Sequence, residues 1–265
     1  MLRAVLHPAH ARPQHPGLIQ LARDGVAAVL LDVEGTTTPI SFVYDTLFPY
    51  ARKHLRAYLV DRAASDETAR LIDALRVERR REPIGSDAPE WVDVTKLASA
   101  DSAADYAEWL MSRDSKSPAL KALQGVIWKG GYDSGTLRGD VFADVPKAFQ
   151  TWKAAGIRIA IYSSGSVLAQ RLIFGTTQYG DLTRDIDVYF DTAVGPKRES
   201  DSYAAIAREL GVAPQSILFL SDVSAELDAA SSAGCRTALV ARPGNPPQPS
   251  RPAMPTIKTL AEVTP

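Results

Sequence analysis

Short, continuous apolar runs constrain the fold of this chain more than any other feature of its sequence. Four have the length of buried strands and a fifth is weaker; they lie at 27–32, 157–163, 216–222, 237–241 and 188–192. A strand that is apolar on both faces needs cover on both faces, which is typical of a parallel sheet between two layers of helices. The runs therefore predict an α/β fold.

Helical patterns separate these runs along the chain. Residues 144–156 place Phe149 and Trp152 on one face, and Gly156 follows where the helix should end. Gly211 and Gly234 follow two further helical patterns in the same way, since glycine is common just past the end of a helix. Strands that alternate with helices predict a doubly wound parallel sheet, whose ligands bind at the carboxyl ends of the strands.

Residues 45–140 differ, because they contain helical patterns and no convincing strand. We interpret this segment as a helical domain inserted into an α/β core of residues 25–44 and 141–265. Residues 1–24 are expected to form a flexible N-terminal extension, since chain termini are commonly disordered. A proline-rich loop at 242–255 is expected to precede a short closing helix.

Composition excludes several classes of partner. The 30 basic and 31 acidic residues give a net charge of −1, so no broad basic surface is available for nucleic acid or anionic membranes. The single cysteine, Cys235, excludes a disulfide within the chain and a thiolate metal cluster. Neither a secretory signal nor an apolar run of about 20 residues, as a membrane span requires, occurs. We therefore expect a cytoplasmic monomer with no nucleic-acid and no membrane partner.

Polar residues follow three of the predicted strands, at the points where the strands end. These residues are Asp32 and Glu34 after the first run, Ser163 and Ser164 after the second, and Asp222 after 216–222, with Lys197 just before a predicted helix. The carboxyl ends of parallel strands meet at one edge of a sheet. We therefore expect these side chains to converge.

Each of these residues also has a simpler interpretation. An aspartate at a strand end can form a turn, Ser163 and Ser164 could cap the following helix, and Lys197 could lie at the surface. Asp222 and Glu226 form an i, i+4 acidic pair, which is repulsive on a bare helix. All the simpler interpretations would have to hold together at the same sheet edge, so the convergence favours a functional site.

The chemistry of this set is coherent. Carboxylates suit Mg²⁺, which binds a few of them together with water and substrate phosphate. Serine hydroxyls, backbone amides beside glycine and a lysine suit a phosphate group, and a carboxylate can act as the nucleophile. Neither a G-x-x-x-x-G-K-[ST] nor a G-x-G-x-x-G segment occurs, so P-loop and dinucleotide-binding interpretations lose their usual support.

At these positions the sequence resembles the haloacid dehalogenase superfamily of phosphotransferases, whose four motifs read here DVEGT, IYSSG, GPK and LSDVSAE in the same order. Glu34 stands where the superfamily usually has a second aspartate. This departure, together with the longer segments LDVEGTTTPISFVYDTLFPYA and FDTAVGPKRESDSY, resembles the enolase-phosphatase (acireductone synthase) branch. The match covers most of the chain but not the residues before Asp24.

The resemblance implies a Rossmann-like core with a helical cap, and a Mg²⁺-dependent enzyme of methionine salvage. Such an enzyme enolises 2,3-diketo-5-methylthiopentyl-1-phosphate and then removes the phosphate. The roles implied are Asp32 as nucleophile, Glu34 as acid/base, Ser163, Ser164 and Lys197 as substrate-binding residues, and Asp32, Glu34 and Asp222 as ligands of one Mg²⁺ ion. The longer side chain of Glu34 is expected to let it serve both steps.

Three rival functions remain open on the sequence. The first is a Mg²⁺-dependent sugar phosphatase of the same superfamily, against which the Glu34 departure counts. The second is a dehalogenase, which the acidic set disfavours because halide displacement needs no cation. The third is a catalytically silent binding protein, in which loss of Asp32 or Lys197 would be expected.

Overall fold

The computed structural model describes residues 19–249 and 254–265 of the chain. The strands within these residues are β1 (Ile19–Gln20), β2 (Ala28–Leu31), β3 (Arg158–Tyr162), β4 (Val188–Phe190), β5 (Ile217–Ser221), β6 (Arg236–Val240), β7 (Thr256–Ile257) and β8 (Val263–Thr264). The α-helices are α1 (Phe48–Asp61), α2 (Asp66–Arg79), α3 (Lys96–Ser112), α4 (Pro118–Asp133), α5 (Val145–Ala154), α6 (Val167–Gly175), α7 (Ser200–Leu210) and α8 (Ser224–Ser232). A π-helical segment, Phe42–Leu47, leads into α1.

A six-stranded parallel sheet forms the centre of the molecule. Its strand order is β4-β3-β2-β5-β6-β7, so β2 lies between β3 and β5. Alternate residues of β2 enter two different hydrophobic clusters: Val29 and Leu31 pack on one face, and Ala28 and Leu30 on the other. Both faces of the sheet are therefore covered, which is why the runs are continuously apolar. The predicted doubly wound α/β fold is confirmed.

The two layers of helices lie on opposite faces of this sheet. Phe149 and Trp152 of α5 belong to the cluster that contains Val29 and Leu31. Tyr203 of α7 and Leu227 of α8 belong to the cluster on the other face. Two of the predicted helix ends have the backbone that favours glycine, with φ of +77° at Gly156 and +66° at Gly211.

Helices α1 to α4 surround a hydrophobic cluster of their own. Its members include Leu55 and Leu59 of α1, Leu75 of α2, and Tyr106 of α3. Side-chain oxygens start three of the four helices, since Ser65, Thr95 and Ser117 each accept a hydrogen bond from an amide three residues on. This separate cluster supports the proposed cap at 45–140, whose boundaries stay a prediction. Among the described residues, no helix has the length and apolarity to span a membrane.

The two ends of the described chain pair with each other. Residues 1–18 of the predicted flexible extension lie outside the described residues, but residues 19–24 belong to the fold, which corrects that expectation. Strand β1 pairs in parallel with β8, and Leu21 is fully buried. The paired segment is only two residues long, too short for a hydrophobic pattern to reveal it. The expected closing helix is a single 3-10 turn, Leu260–Glu262, between β7 and β8.

Trp152 fixes this C-terminal pairing to the core. Its indole Nε1 donates a hydrogen bond of 2.9 Å to the carbonyl of Val263, and its side chain is fully buried. We predict that Trp152→Phe lowers the free energy of unfolding by about 1–3 kcal/mol, because a buried carbonyl loses its donor. Equilibrium urea denaturation measures this loss. Tyr179→Phe, at a ring that is 47% exposed, is the control and should leave the midpoint unchanged; equal midpoints for both variants would contradict the prediction.

Candidate active site

The residues singled out in the sequence lie at the carboxyl edge of the sheet. Asp32 follows β2, Ser163 follows β3 and Asp222 follows β5, and these three strands are neighbours. Lys197 reaches this edge from the loop before α7. The structure thus brings Asp32, Lys197 and Asp222 together, whereas Glu34 lines an adjoining cavity with the serines.

A buried lysine joins two carboxylates at this edge. Lys197 Nζ donates to Asp32 Oδ1 at 2.6 Å and lies 2.7 Å from Glu226 Oε2. Burial alone would lower the pKa of Lys197, but the Asp32 and Glu226 carboxylates outweigh it and hold that pKa above its usual value. Lys197 therefore remains an ammonium group that neutralises part of the charge on both partners.

Three hydroxyl groups hold the loop that carries Lys197. Tyr162 donates to the carbonyl of Gly195 at 2.8 Å, Ser202 to that of Pro196 at 2.8 Å, and Tyr203 to that of Lys197 at 2.7 Å. Three successive carbonyls are thus fixed by side chains from β3 and α7. The ammonium group is positioned before any substrate binds.

Glu226 is the residue of this group that sequence reasoning missed. The sequence presents Glu226 only as one half of a repulsive acidic pair. In the structure it faces Lys197 and accepts a hydrogen bond of 3.0 Å from Ser221 Oγ. Burial and then the charge of Asp32 raise the pKa of Glu226 to about 7. The available signal was an acidic residue one helical turn beyond Asp222, at a strand end shared with a lysine.

Asp222 is buried beside the nucleophile loop, residues 32–38. Burial and then the charge of Asp32 raise the pKa of Asp222 to about 7. Gly35, with φ of +72°, lies against it so closely that a Cβ there would overlap the Asp222 carboxylate. The ammonium group of Lys197 lies between Asp32 and Glu226. It therefore leaves the negative charge of the neighbouring Asp222 without compensation.

These carboxylates fit a magnesium site that has few protein ligands. Among residues 19–249 and 254–265, no three His, Cys, Asp or Glu side chains are grouped as a ready metal cluster. Mg²⁺ does not need one, because it is usually held by one or two carboxylates with water and substrate phosphate completing its shell. Asp32 and Asp222 are such a pair, and burial together with the charge of Asp32 raises the pKa of Asp222, which a bound cation would offset. The side chain of Glu34 lines the cavity instead.

Hydrogen bonds from the C-terminal part of the chain hold the nucleophile loop. Arg242 donates to the carbonyl of Thr36 from Nε at 3.1 Å and from Nη2 at 3.0 Å. Asn245 donates to the carbonyl of Gly35 at 2.8 Å. Within the loop, Thr37 Oγ1 donates to the carbonyl of Asp32 at 3.1 Å. No motif in the sequence indicates the contribution of Arg242 and Asn245.

A cavity of about 490 Å³ lies between the sheet edge and the cap. Its polar side contains Glu34, Ser163 and Ser164. Ser163 Oγ accepts a hydrogen bond of 3.0 Å from the amide of Gly165, and Ser166 caps α6, so neither predicted serine has the capping role. The cap side combines apolar residues, Leu47, Phe48 and Trp128 among them, with charged and polar residues such as Arg52, Lys116 and Lys121.

Glu34 lies in this cavity two residues after Asp32. Burial and then the charge of Asp32 raise the pKa of Glu34 above its usual value, while Lys197 and Lys116 act in the opposite direction. A carboxyl group with a raised pKa can exchange protons near neutral pH. The geometry therefore gives the two carboxylates of the DVE segment different surroundings and different chemistry.

The close approach of Gly35 to Asp222 can be tested with a matched pair of variants. Gly35 and Gly25 both have positive φ, of +72° and +67°, but nothing lies within 4 Å of a Cβ at Gly25. We predict that Gly25→Ala and Gly35→Ala each lose about 1 kcal/mol or more of stability, because alanine is strained at positive φ. Only Gly35→Ala should also weaken Mg²⁺ binding, measured by titration calorimetry. Equal Mg²⁺ affinity in both variants would separate Asp222 from the metal site.

Known proteins that are similar to this chain indicate its family. The model of the haloacid dehalogenase-like hydrolases matches residues 26–234. Enolase-phosphatase E1 of Synechococcus elongatus is 50% identical to this chain, over 83% of it and 90% of the relative. Enolase-phosphatase E1 of Drosophila mojavensis is 46% identical, over 83% of this chain and 86% of the relative.

Solved structures show the same architecture. The UTR4 protein of Saccharomyces cerevisiae is 35% identical with a TM-score of 0.73, and the match covers 88% of this chain and 98% of that protein. A phosphatase from Thermococcus onnurineus shares the fold at 20% identity and a TM-score of 0.52, over 89% of this chain and 95% of that one. The chain belongs to the haloacid dehalogenase-like hydrolases.

Proposed function

We propose that this chain is a bifunctional enolase-phosphatase of methionine salvage. It enolises 2,3-diketo-5-methylthiopentyl-1-phosphate and then hydrolyses the phosphate ester, which gives acireductone (1,2-dihydroxy-3-keto-5-methylthiopentene). The observation that carries this proposal is the pairing of a lysine-bound Asp32 with Glu34, two residues on, in a cavity of about 490 Å³. Relatives named Enolase-phosphatase E1, at 46% and 50% identity, support it.

Asp32 is the nucleophile of the phosphatase step. Its Oδ1 accepts hydrogen bonds from Lys197 at 2.6 Å and from the Val33 amide at 2.7 Å. Its Oδ2 has only the long contact of 3.4 Å with Ser221 Oγ, so Oδ2 is the oxygen available to attack phosphorus. The resulting aspartyl phosphate is then hydrolysed by water. Lys197 offsets the negative charge that gathers as the phosphoryl group approaches.

Glu34 protonates the leaving oxygen in the same step. Its raised pKa keeps a proton on the carboxyl group for a larger share of the time, as a general acid requires. The proposed ligands of one Mg²⁺ ion are the carboxylates of Asp32 and Asp222 and the backbone carbonyl of Glu34, whose side chain stays free in the cavity. When bound, Mg²⁺ neutralises charge on the phosphoryl oxygens, which is the use that phosphatases of this family generally make of it.

The shape and lining of the cavity support the substrate. Ser163 and Ser164 lie on the polar side of the cavity and suit the phosphate group, as does Lys197 at the neighbouring sheet edge. The apolar residues of the cap, Phe48 and Trp128 among them, suit a methylthio tail, which offers no hydrogen-bonding group. A sugar phosphate has no apolar tail to place against these two side chains, so they favour the diketo-phosphate.

A phosphorylated small molecule is thus the proposed partner of this chain. A catalytically silent role is disfavoured because Asp32 and Lys197, whose loss it would predict, are both present and ion-paired. The monomeric state, the lack of nucleic-acid and membrane partners, and the cytoplasmic location stay predictions.

The two steps can be separated by removing the nucleophile. With purified protein, Mg²⁺ and the diketo-phosphate in the absence of oxygen, enol absorbance and free phosphate are followed together. We predict that Asp32→Asn retains enol formation but loses phosphate release by at least about 10³-fold, because no aspartyl phosphate can form. Asp61→Asn, at an exposed residue that ends α1, is the control. Turnover of sugar phosphates alone by the unsubstituted protein would overturn the proposed pathway and leave the nucleophile in place.

Glu226 offers a test of how Lys197 is positioned. We predict that Glu226→Gln lowers the kcat of phosphate release by about 10- to 100-fold, as is typical when a group that orients an active-site residue is lost. KM should change less, because Glu226 faces Lys197 and does not line the cavity. Glu209→Gln, at an exposed position on α7, is the control. An unchanged kcat in Glu226→Gln would show that Asp32 alone suffices to hold the ammonium.

A further inference from the structure

Two polar side chains of the cap face the cavity without strong partners. Lys121 and Gln124 lie three residues apart on α4, so they share one face of the helix. Both line the cavity, opposite the polar side formed by Glu34 and the serines. The phosphatase step described above uses neither of them.

Lys121 presents an ammonium group that is not neutralised. Its hydrogen bond to Thr192 Oγ1 is long, at 3.3 Å, and no carboxylate oxygen within the described part of the chain lies in ion-pair range of its Nζ. Lys129, on the same helix, pairs with Asp133 at 2.5 Å, and Lys197 has two carboxylates. Burial, and then the nearby Lys116, lower the pKa of Lys121, while Asp191 and Glu34 act in the opposite direction from beyond ion-pair range. A half-buried cation without an ion-paired carboxylate favours a ligand with negative charge or a polarisable oxygen.

Gln124 presents an amide with unused hydrogen-bonding capacity. It is only 7% exposed, yet its side-chain amide takes part in no hydrogen bond among the described residues. The contrast is Gln170, a glutamine of the same cavity, whose Nε2 donates to the carbonyls of Gly165 and Phe190 at 2.9 Å each. The amide opens onto the cavity instead of being enclosed by protein, so we expect an oxygen of the bound molecule to accept a hydrogen bond from Gln124 Nε2.

We propose that Lys121 and Gln124 bind the two adjacent carbonyl oxygens of the substrate, and that Lys121 stabilises the enolate formed on the first of them. This inference rests on the proposed enolase-phosphatase function. A vicinal diketone has two neighbouring acceptor oxygens, and these two side chains are neighbouring donors on one helix face. The cap thereby supplies the groups that bind the carbonyl oxygens, while the sheet edge supplies the residues of phosphoryl transfer.

The step balances with groups already in the cavity. The C1–H bond breaks, its electron pair forms the C1=C2 double bond, and the electron pair of the C2=O π bond moves onto the C2 oxygen. The Glu34 carboxylate takes the proton, and Lys121 keeps its own proton while donating a hydrogen bond to the enolate oxygen. Glu34 then holds the proton that it returns to the bridging oxygen when the O–P bond breaks. The negative charge leaves on the product enolate.

Two measurements separate the enolase step from phosphoryl chemistry. Enolisation is followed alone as hydrogen–deuterium exchange at C1 of the non-hydrolysable phosphonate analogue of the diketo-phosphate, by proton NMR in D₂O without oxygen. Phosphoryl transfer is followed as hydrolysis of p-nitrophenyl phosphate, which has no enolisable carbon. The variants are Lys121→Met, Lys121→Arg and Gln124→Leu, with Lys129→Met on the same helix as the matched control.

We expect Lys121→Met to slow exchange by about 10²- to 10³-fold, the effect of losing one donor to a developing oxyanion. Gln124→Leu should slow it by about 10-fold, and Lys121→Arg should recover part of the rate because the charge is retained. Hydrolysis of p-nitrophenyl phosphate should fall far less than exchange, and Lys129→Met should change neither rate.

Three results would overturn this inference. Exchange by Lys121→Met at the rate of Lys129→Met would remove Lys121 from the enolase step. Equal losses of exchange and of p-nitrophenyl phosphate hydrolysis would reduce it to a structural residue. If the unsubstituted protein hydrolyses p-nitrophenyl phosphate but exchanges no hydrogen, the proposed enolase function itself fails, and the role of Lys121 fails with it.

Discussion

The buried ammonium of Lys197, placed between Asp32 and Glu226, is the interaction on which the rest of the site depends. Charged groups in so enclosed a place are costly unless they are paired, and removing one partner leaves the others uncompensated. The three residues come from the end of β2, the loop before α7 and the first turn of α8. Their pairing therefore requires the sheet, the loop and the helix to be correctly placed relative to one another.

Charge is unevenly distributed at this edge of the sheet, so the acidic residues there have different surroundings. Asp32 has a cation at 2.6 Å, whereas Asp222 is buried close to it without one, and Glu34 faces the cavity. These different surroundings support the proposed roles of Asp32 as nucleophile, Asp222 as metal ligand and Glu34 as proton carrier. Environment, more than residue type, determines which role each carboxyl group can take.

The sequence was sufficient for the sheet and for the edge at which the site lies. Continuous apolar runs indicate strands that are covered on both faces. Asp32 and Asp222 directly follow two such strands. What it could not supply depends on distant contacts. The sequence alone makes Glu226 a repulsive neighbour of Asp222, because it does not show that Lys197 lies beside it. The sequence near Lys121 and Lys129, on the same helix, likewise does not show which of them has an ion-pair partner. The pairing of Ile19–Gln20 with the C-terminal strand could not be predicted either, because a segment of two residues is too short to show a hydrophobic period.

The hydrogen bonds from Arg242 and Asn245 to the carbonyls of Thr36 and Gly35 have a consequence for the order in which the protein is made. A ribosome that has just released Asp222 has already produced every residue to which a catalytic role is assigned above. The loop that carries Asp32 still lacks the donors that hold its backbone, because they follow β6. In a nascent chain these hydrogen bonds therefore hold the loop only after the segment that carries Arg242 and Asn245 has emerged and docked.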